Sequence, residues 1–174
     1  MARLDIRIFG DPILRLRANE VTDFDQHLRM LADDMLDTLR AANGVGLAAN
    51  QVGMLKRLFV WEHAERHGTF VNPEIVETSD EVVEAEEGCL SFPGLFYPSE
   101  RPLRARLRGV DEHGEPIEEV GEGLFARILL HELDHLNGVL FIDHLARHDR
   151  RDAMRRIRRG ELERPHAPTT TPEL

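Results

Sequence analysis

"HELDHLNG" (131–138) decides how the rest of the chain is read. His131 and His135 are four residues apart, so on an α-helix their side chains project about 40° from one another, one turn apart on the same face. That spacing lets two imidazoles grip a single metal ion. Leu124, Ile128, His131 and His135 follow one stripe, so apolar residues share the face that carries the histidines. Glu132 lies about 100° around from His131, close enough to lean over a water on the metal and badly placed to be a ligand. Gly138 stands where a left-handed residue ends a helix, which predicts a helix over 124–137. A catalytic divalent site takes three protein ligands and keeps one position open. Two are present here, and a bare HExxH also arises by chance on charged helices, so a third ligand has to be found elsewhere.

Downstream candidates are poor. Phe141 occupies the position where an extended HExxHxxGxxH motif would place its third histidine. Glu161 and Glu163 lie behind an arginine-rich segment, and Asp143 and His144 follow the helix end with no characteristic spacing. Upstream, "EEGCLSFPG" (86–94) is better. Gly88 frees the backbone before Cys89 and Pro93-Gly94 turns the chain after it, so a thiol is presented on a shaped loop. A lone cysteine is most often a small buried hydrophobe. Beside two imidazoles, however, a thiolate makes a reasonable tetrahedral set with one corner open. A third stretch, "GVGLAANQ" (44–51), has two glycines that let backbone approach a ligand closely, and Gln51 offers an amide donor at its end. It lacks both GxGxxG and a Lys-Ser/Thr pair, which disfavours phosphate binding.

Composition bounds the class. With 174 residues the chain suits one domain, and its single cysteine rules out an intrachain disulfide and fits a reducing, cytoplasmic setting. Met1 to Arg15 carries Arg3, Asp5, Arg7, Asp11 and Arg15 and no long apolar run, so neither a signal peptide nor a membrane anchor is expected. The formal charge is −10, yet seven arginines crowd residues 147–159 while Thr78 to Glu87 is acidic.

Outward from the motif, "GDPILR" (10–15) reads as an extended lead-in, because Pro12 keeps Asp11 out of the helical region. Leu28, Leu31, Ala32, Met35, Leu36 and Leu39 keep helical spacing, predicting a helix over 26–42 with Asp25 as cap and Asn43-Gly44 as stop. "KRLFVWE" (56–62), "GTFVNPEIVE" (68–77) and "EVVEAEE" (81–87) read as strands. Leu103 to Leu107 alternates, "DEHG" (111–114) turns and "EPIEEV" (115–120) returns, a hairpin with one wet side. A basic helix is expected over about 144–159, followed by a proline- and threonine-rich tail with nothing to bury.

The three motifs, in this order, resemble the peptide deformylase family: Gly44 to Gln51 its GxGLAAxQ, Glu87 to Ser91 its EGCLS, and His131 to His135 its HExxH. The likeness extends to "GDPILR" and to "GLFARILLHELDHLNGVLFIDHL" (123–145), covering roughly residues 5–146. It implies an α+β fold, with antiparallel β-sheets packed around a central helix carrying HExxH. It also implies a catalytic domain over 1–146, with a basic helix over 147–160 and a disordered tail over 161–174 outside it. Carried across residue by residue, it makes Cys89, His131 and His135 the metal ligands and Glu132 the proton-transfer residue. Gln51 and the backbone N–H of Leu90 become oxyanion donors. Gly44, Val45, Gly46, Gly88, Leu124, Arg127 and Ile128 become the substrate-binding set.

The activity implied is metal-dependent removal of the formyl group from the N-terminal formyl-methionine of nascent polypeptides, with release of formate. Fe2+ is the cellular ion implied, with Zn2+, Ni2+ or Co2+ also acceptable to such donors. The basic helix suggests a ribosome contact; no DNA or membrane partner is implied. Three departures stand out. Leu130 precedes HExxH where Gln is frequent, Leu95 and Phe96 stand where some members carry an arginine, and Arg127 replaces a frequently apolar residue and is expected to curl to the pocket rim. Two other readings are a metallopeptidase of another lineage and a peptide-binding module whose structural metal takes His144 as a fourth ligand.

Overall fold

In a computed structural model, residues 2–162 are described; the greater part of the tail expected over 161–174 lies outside the described residues. The sheet is built around the run "LFVW". Strand β2 (Leu58–His63) is buried on both faces, because alternate residues point to opposite sides. Leu58 and Val60 meet the first helix, α1 (Gln26–Ala41), through Leu28, Ala32, Met35 and Leu39. Phe59 and Trp61 face the opposite way, against the helix that carries the histidines. Each such side chain removed from water contributes about 1.5–3 kcal/mol, so a sheet held between two helices is where this chain concentrates its burial.

Around β2 the antiparallel order is β1 (Gly46–Ala48), β2, β3 (Arg66–Thr78), β6 (Arg104–Val110) and β7 (Pro116–Glu122). β1 pairs only with β2, in the register Gly46 to Trp61, and is an edge. Between β3 and β6 the register slips at Val71/Glu74, where Pro73 has no N–H to give and Asn72 takes φ 51°. β6 and β7 form the expected hairpin. β4 (Val82–Gly88) pairs with β5 (Phe96–Pro102) in a separate two-stranded sheet. β5 is absent from the sequence reading, because Pro98 and Pro102 argue against a strand; in a two-stranded ribbon both strands are edges, which tolerate proline.

The histidine helix, α2 (Leu124–Leu136), ends as expected, with Gly138 at φ +73°. A side chain at Gly138 would be strained there and would also meet the Arg15 backbone. Two expectations need correction. After Asp11, extended as Pro12 requires, the chain coils into a 3-10 turn over Pro12–Arg15, with the Asp11 carboxylate accepting from Ile13 N. The basic helix, α3, starts later than expected, at Arg147–Arg158. Phe141–His144 is a separate 3-10 turn, and Leu145 turns into a third core with Phe92, Leu95, Tyr97, Phe141 and Ala153. Among the described residues no helix is long and apolar enough to cross a membrane.

Candidate active site

α2 delivers His131, Glu132 and His135 into the interior, 8%, 3% and 1% exposed. β4 brings Cys89 from the other side. The strand ends at Gly88, and the turn that follows closes through Phe92 N–H to Cys89 O (2.9 Å) and Leu95 N–H to Phe92 O (3.1 Å). The Cys89 sulfur and one nitrogen from each histidine lie within 4.8 Å of one another. Sγ is 3.3 Å from His135 Nε2, which is 3.2 Å from His131 Nε2. Among the described residues these three are the cluster able to hold a metal. His144 is elsewhere, 2.8 Å from Asp134, and Asp143 is held by Arg15.

The orientation of His131 is fixed from behind. Its Nδ1 is 2.6 Å from Glu87 Oε1, which also accepts from Arg101 Nη2 (2.7 Å). Glu87 Oε2 accepts from Arg101 Nε (3.1 Å) and Arg127 Nη1 (2.7 Å), so all four acceptor positions of a buried carboxylate are in use. Burial alone would raise the Glu87 pKa, but hydrogen bonds from His131 and Arg101 hold it well below the usual carboxylate range. A locked anion at Nδ1 keeps the proton there and leaves the Nε2 lone pair facing Cys89 and His135.

Burial opposes charge on His131, yet Cys89 and Glu87 hold its pKa well above the ordinary value; burial and the charge of His131 press that of His135 well below it. Two imidazole nitrogens and a sulfur converge here, and each can offer a lone pair to the same point. A divalent cation satisfies all three donors at once, so the residues fit a metal.

Among the described residues Glu132, which stands beside this cluster, has no salt-bridge partner. Burial is the largest influence and pushes its pKa up to about 7, and its Oε2 has no hydrogen-bond partner. The other oxygen lies against Gly46, where a Cβ would overlap the carboxylate; only glycine lets β1 pass this close. Gln51 lies in a 3-10 turn over Ala49–Val52, and its Oε1 accepts from Ala48 N (2.9 Å). Its Nε2 is thereby aimed at Ser91 Oγ (3.1 Å) and toward Cys89 Sγ (3.6 Å).

A cavity of about 470 Å³ opens onto this cluster, and all thirteen of the sequence-derived site residues except His135 line it. Ile128 is buried in its wall; Val45 and Leu124 stand at the rim, 46% and 54% exposed. The expectation for Arg127 is corrected. Its side chain turns inward, buried, and donates to Glu87 and to Val83 O (3.0 Å), because a carboxylate with a free acceptor position lies within reach. Leu95 is fully buried, whereas Phe96 is exposed and rests on Gly88. Leu130 packs into the core between α2 and the sheet.

The sequence model of one family, described as polypeptide deformylase, matches residues 3–151. A peptide deformylase of Acidothermus cellulolyticus is 50% identical over 161 residues, 92% of this chain and 89% of that protein. The crystal structure of a peptide deformylase from Legionella pneumophila superposes with TM-score 0.86 at 40% identity, covering 94% of this chain and 100% of the other. One from Ehrlichia chaffeensis, in complex with actinonin, gives 0.87 at 38% identity, covering 92% and 99%. The chain belongs to the polypeptide deformylase family. It is a hydrolase that removes the N-terminal formyl group from polypeptides.

Within this deformylase site the sequence reading leaves several residues unassigned. Glu87 is read there as part of an acidic strand and as the first residue of EGCLS, with no role of its own; its parity with Val83, on the same face of β4, is the signal that it points inward. Arg101, Ser91 and Asn50 carry no such local signal. They come from β5, from the turn after Cys89 and from the variable position of the GxGLAAxQ motif, and their partners are distant in sequence.

Proposed function

We propose that Cys89, His131 and His135 hold one divalent cation and that the chain uses it to hydrolyse the formyl amide on the N-terminal methionine of nascent polypeptides. The observation that carries this is three convergent donors beside an unpartnered buried carboxylate, at the inner end of an apolar-walled cavity. When bound, the cation polarises the formyl oxygen and lowers the pKa of a water toward neutrality.

Glu132, poised near neutral pH, takes the proton from the attacking water and returns it to the departing amine. Gln51 Nε2 and Leu90 N–H donate to the oxygen on which negative charge grows. The segment from Gly44 that leads into the free edge of β1 at Gly46 pairs with the extended peptide backbone, with Gly88 on the opposite wall. Ile128, Val45, Leu124 and the methylenes of Arg127 enclose the methionine side chain. The ion is Fe2+ in the cell, and zinc, nickel and cobalt also suit one thiolate and two imidazoles.

Formate release from formyl-Met, formyl-Gly and acetyl-Met peptides, with metal content determined on the same sample, tests this. Turnover in proportion to bound metal, with formyl-Met preferred, is expected; equal processing of acetyl-Met would overturn the substrate assignment. We also propose that the enzyme works in the cytoplasm, and that the exposed arginines 147, 150, 151, 155 and 158, which flank Met154 on α3, contact ribosomal RNA phosphates. Salt-sensitive ribosome binding that survives reversal of Arg151, Arg155 and Arg158 to Glu would refute the contact.

A further inference from the structure

His131 has Glu87 behind it, but His135 has no such partner on its ring. Its Nδ1 is buried without a hydrogen bond among the described residues. A ring that gives its Nε2 lone pair to a metal carries its proton on Nδ1, and a buried donor left unpaired costs about 1–3 kcal/mol. One other residue that touches His135 has the complementary defect. Asn50, 0% exposed, donates from Nδ2 to the backbone oxygen of His135, and its Oδ1 is likewise buried without a partner. A donor and an acceptor, both orphaned and carried by two residues already joined, make a site where one buried water completes both.

We propose that Asn50 is the positioning residue for His135, as Glu87 is for His131. It fixes the helix backbone through Nδ2, and its Oδ1 accepts from a buried water to which the His135 Nδ1–H donates. This rests on the metal-site assignment above. Asn50 adjoins Gln51 in one short 3-10 turn, so the same turn sets the oxyanion donor and holds a ligand in register with it.

Arg57 supplies the control. It caps the same end of α2 through Leu136 O and Asn137 Oδ1, both at 3.0 Å, and makes no hydrogen bond to His135. Zn2+ affinity is measured by competition with a chromophoric chelator, beside thermal stability, for the wild type and for N50A, R57A and C89A. N50A should lose roughly 10–100-fold in affinity. R57A should lose stability while keeping wild-type affinity. In the zinc-loaded protein a slowly exchanging His135 Nδ1–H resonance should be present in the wild type and absent in N50A.

Wild-type affinity in N50A, or losses in N50A and R57A that merely follow their stabilities, would overturn the proposal. Undiminished zinc in C89A would instead remove the metal site on which it rests.

Discussion

Replacing Glu132 by Gln should make the metal-free protein more stable at alkaline pH while abolishing turnover. Burial at 3% exposure is the largest cause raising this carboxyl from 4.5 to about 7. A group that holds its proton more tightly folded than unfolded gives stability that is fully present below the unfolded pKa. That stability is lost as pH rises through the folded value. The window here is therefore about pH 4.5 to 7, and the whole shift corresponds to about 3 kcal/mol. Between pH 5 and pH 8 the wild type should lose most of that through this group alone.

The neutral amide of E132Q escapes that loss. Urea unfolding of both proteins with chelator and reductant present, at pH 5 and pH 8, isolates the effect, because any fixed cost of burying the amide cancels between the two pH values. In the zinc-loaded proteins the difference should shrink, since a cation beside Glu132 offsets the cost of ionising it, and E132Q should bind zinc as the wild type does. Formate release should fall by about 10²–10⁴. A stability difference equal at pH 5 and pH 8 would show that Glu132 ionises freely in the fold, and its assignment as a base poised near neutrality would fail.

Three further outcomes follow from named contacts. Gly46→Ala places a methyl on the Glu132 carboxylate, so kcat should drop with zinc content unchanged; normal kcat would mean that β1 and Glu132 are not in contact during turnover. Glu87→Ala leaves Arg101 and Arg127, both buried, without their common anion and should cost about 3–5 kcal/mol in urea unfolding as well as weakening zinc binding; a cost under 1 kcal/mol would contradict the buried network. Ile128→Ala enlarges the pocket wall and should reduce kcat/KM for formyl-Met peptides about 10–200-fold while sparing zinc content; undiminished kcat/KM would place the methionine elsewhere.

Legibility in the sequence followed the range over which each determinant acts. α1 and α2 could be read because helical spacing and caps are local: Asp25 accepts from Leu28 N at 2.9 Å, and Gly138 is left-handed as its position implies. β2 and the β6–β7 hairpin could be read from alternation and a turn. β5 could not, because its two prolines are tolerated only by virtue of pairing with β4 alone, a fact of topology. The late start of α3 has a similar cause. Helical propensity runs through 144–146, but Leu145 is drawn into a core assembled from Phe92, Leu95 and Phe141, and local preference yields.

The proposed ligands divide along the same line. His131 and His135 declare themselves by spacing on one helix, whereas Cys89 is 42 residues before His131 and gains meaning only from the company of the other motifs. What lies behind the ligands was the least visible, because it consists of charges that one-dimensional reading assigns to water. Glu87, Arg101 and Arg127 are three ionisable side chains from three elements, each 4% exposed, and the two arginines are tolerable inside because Glu87, joined at Arg101 by Asp134, accepts from them. Arg127 shows the consequence most directly. From spacing alone an arginine on the pocket stripe should snorkel to the rim. It turns inward because Glu87, already holding His131 and Arg101, has one acceptor position left, and that choice ties the arginine's charge to Glu87 and Val83 O inside the wall of the cavity.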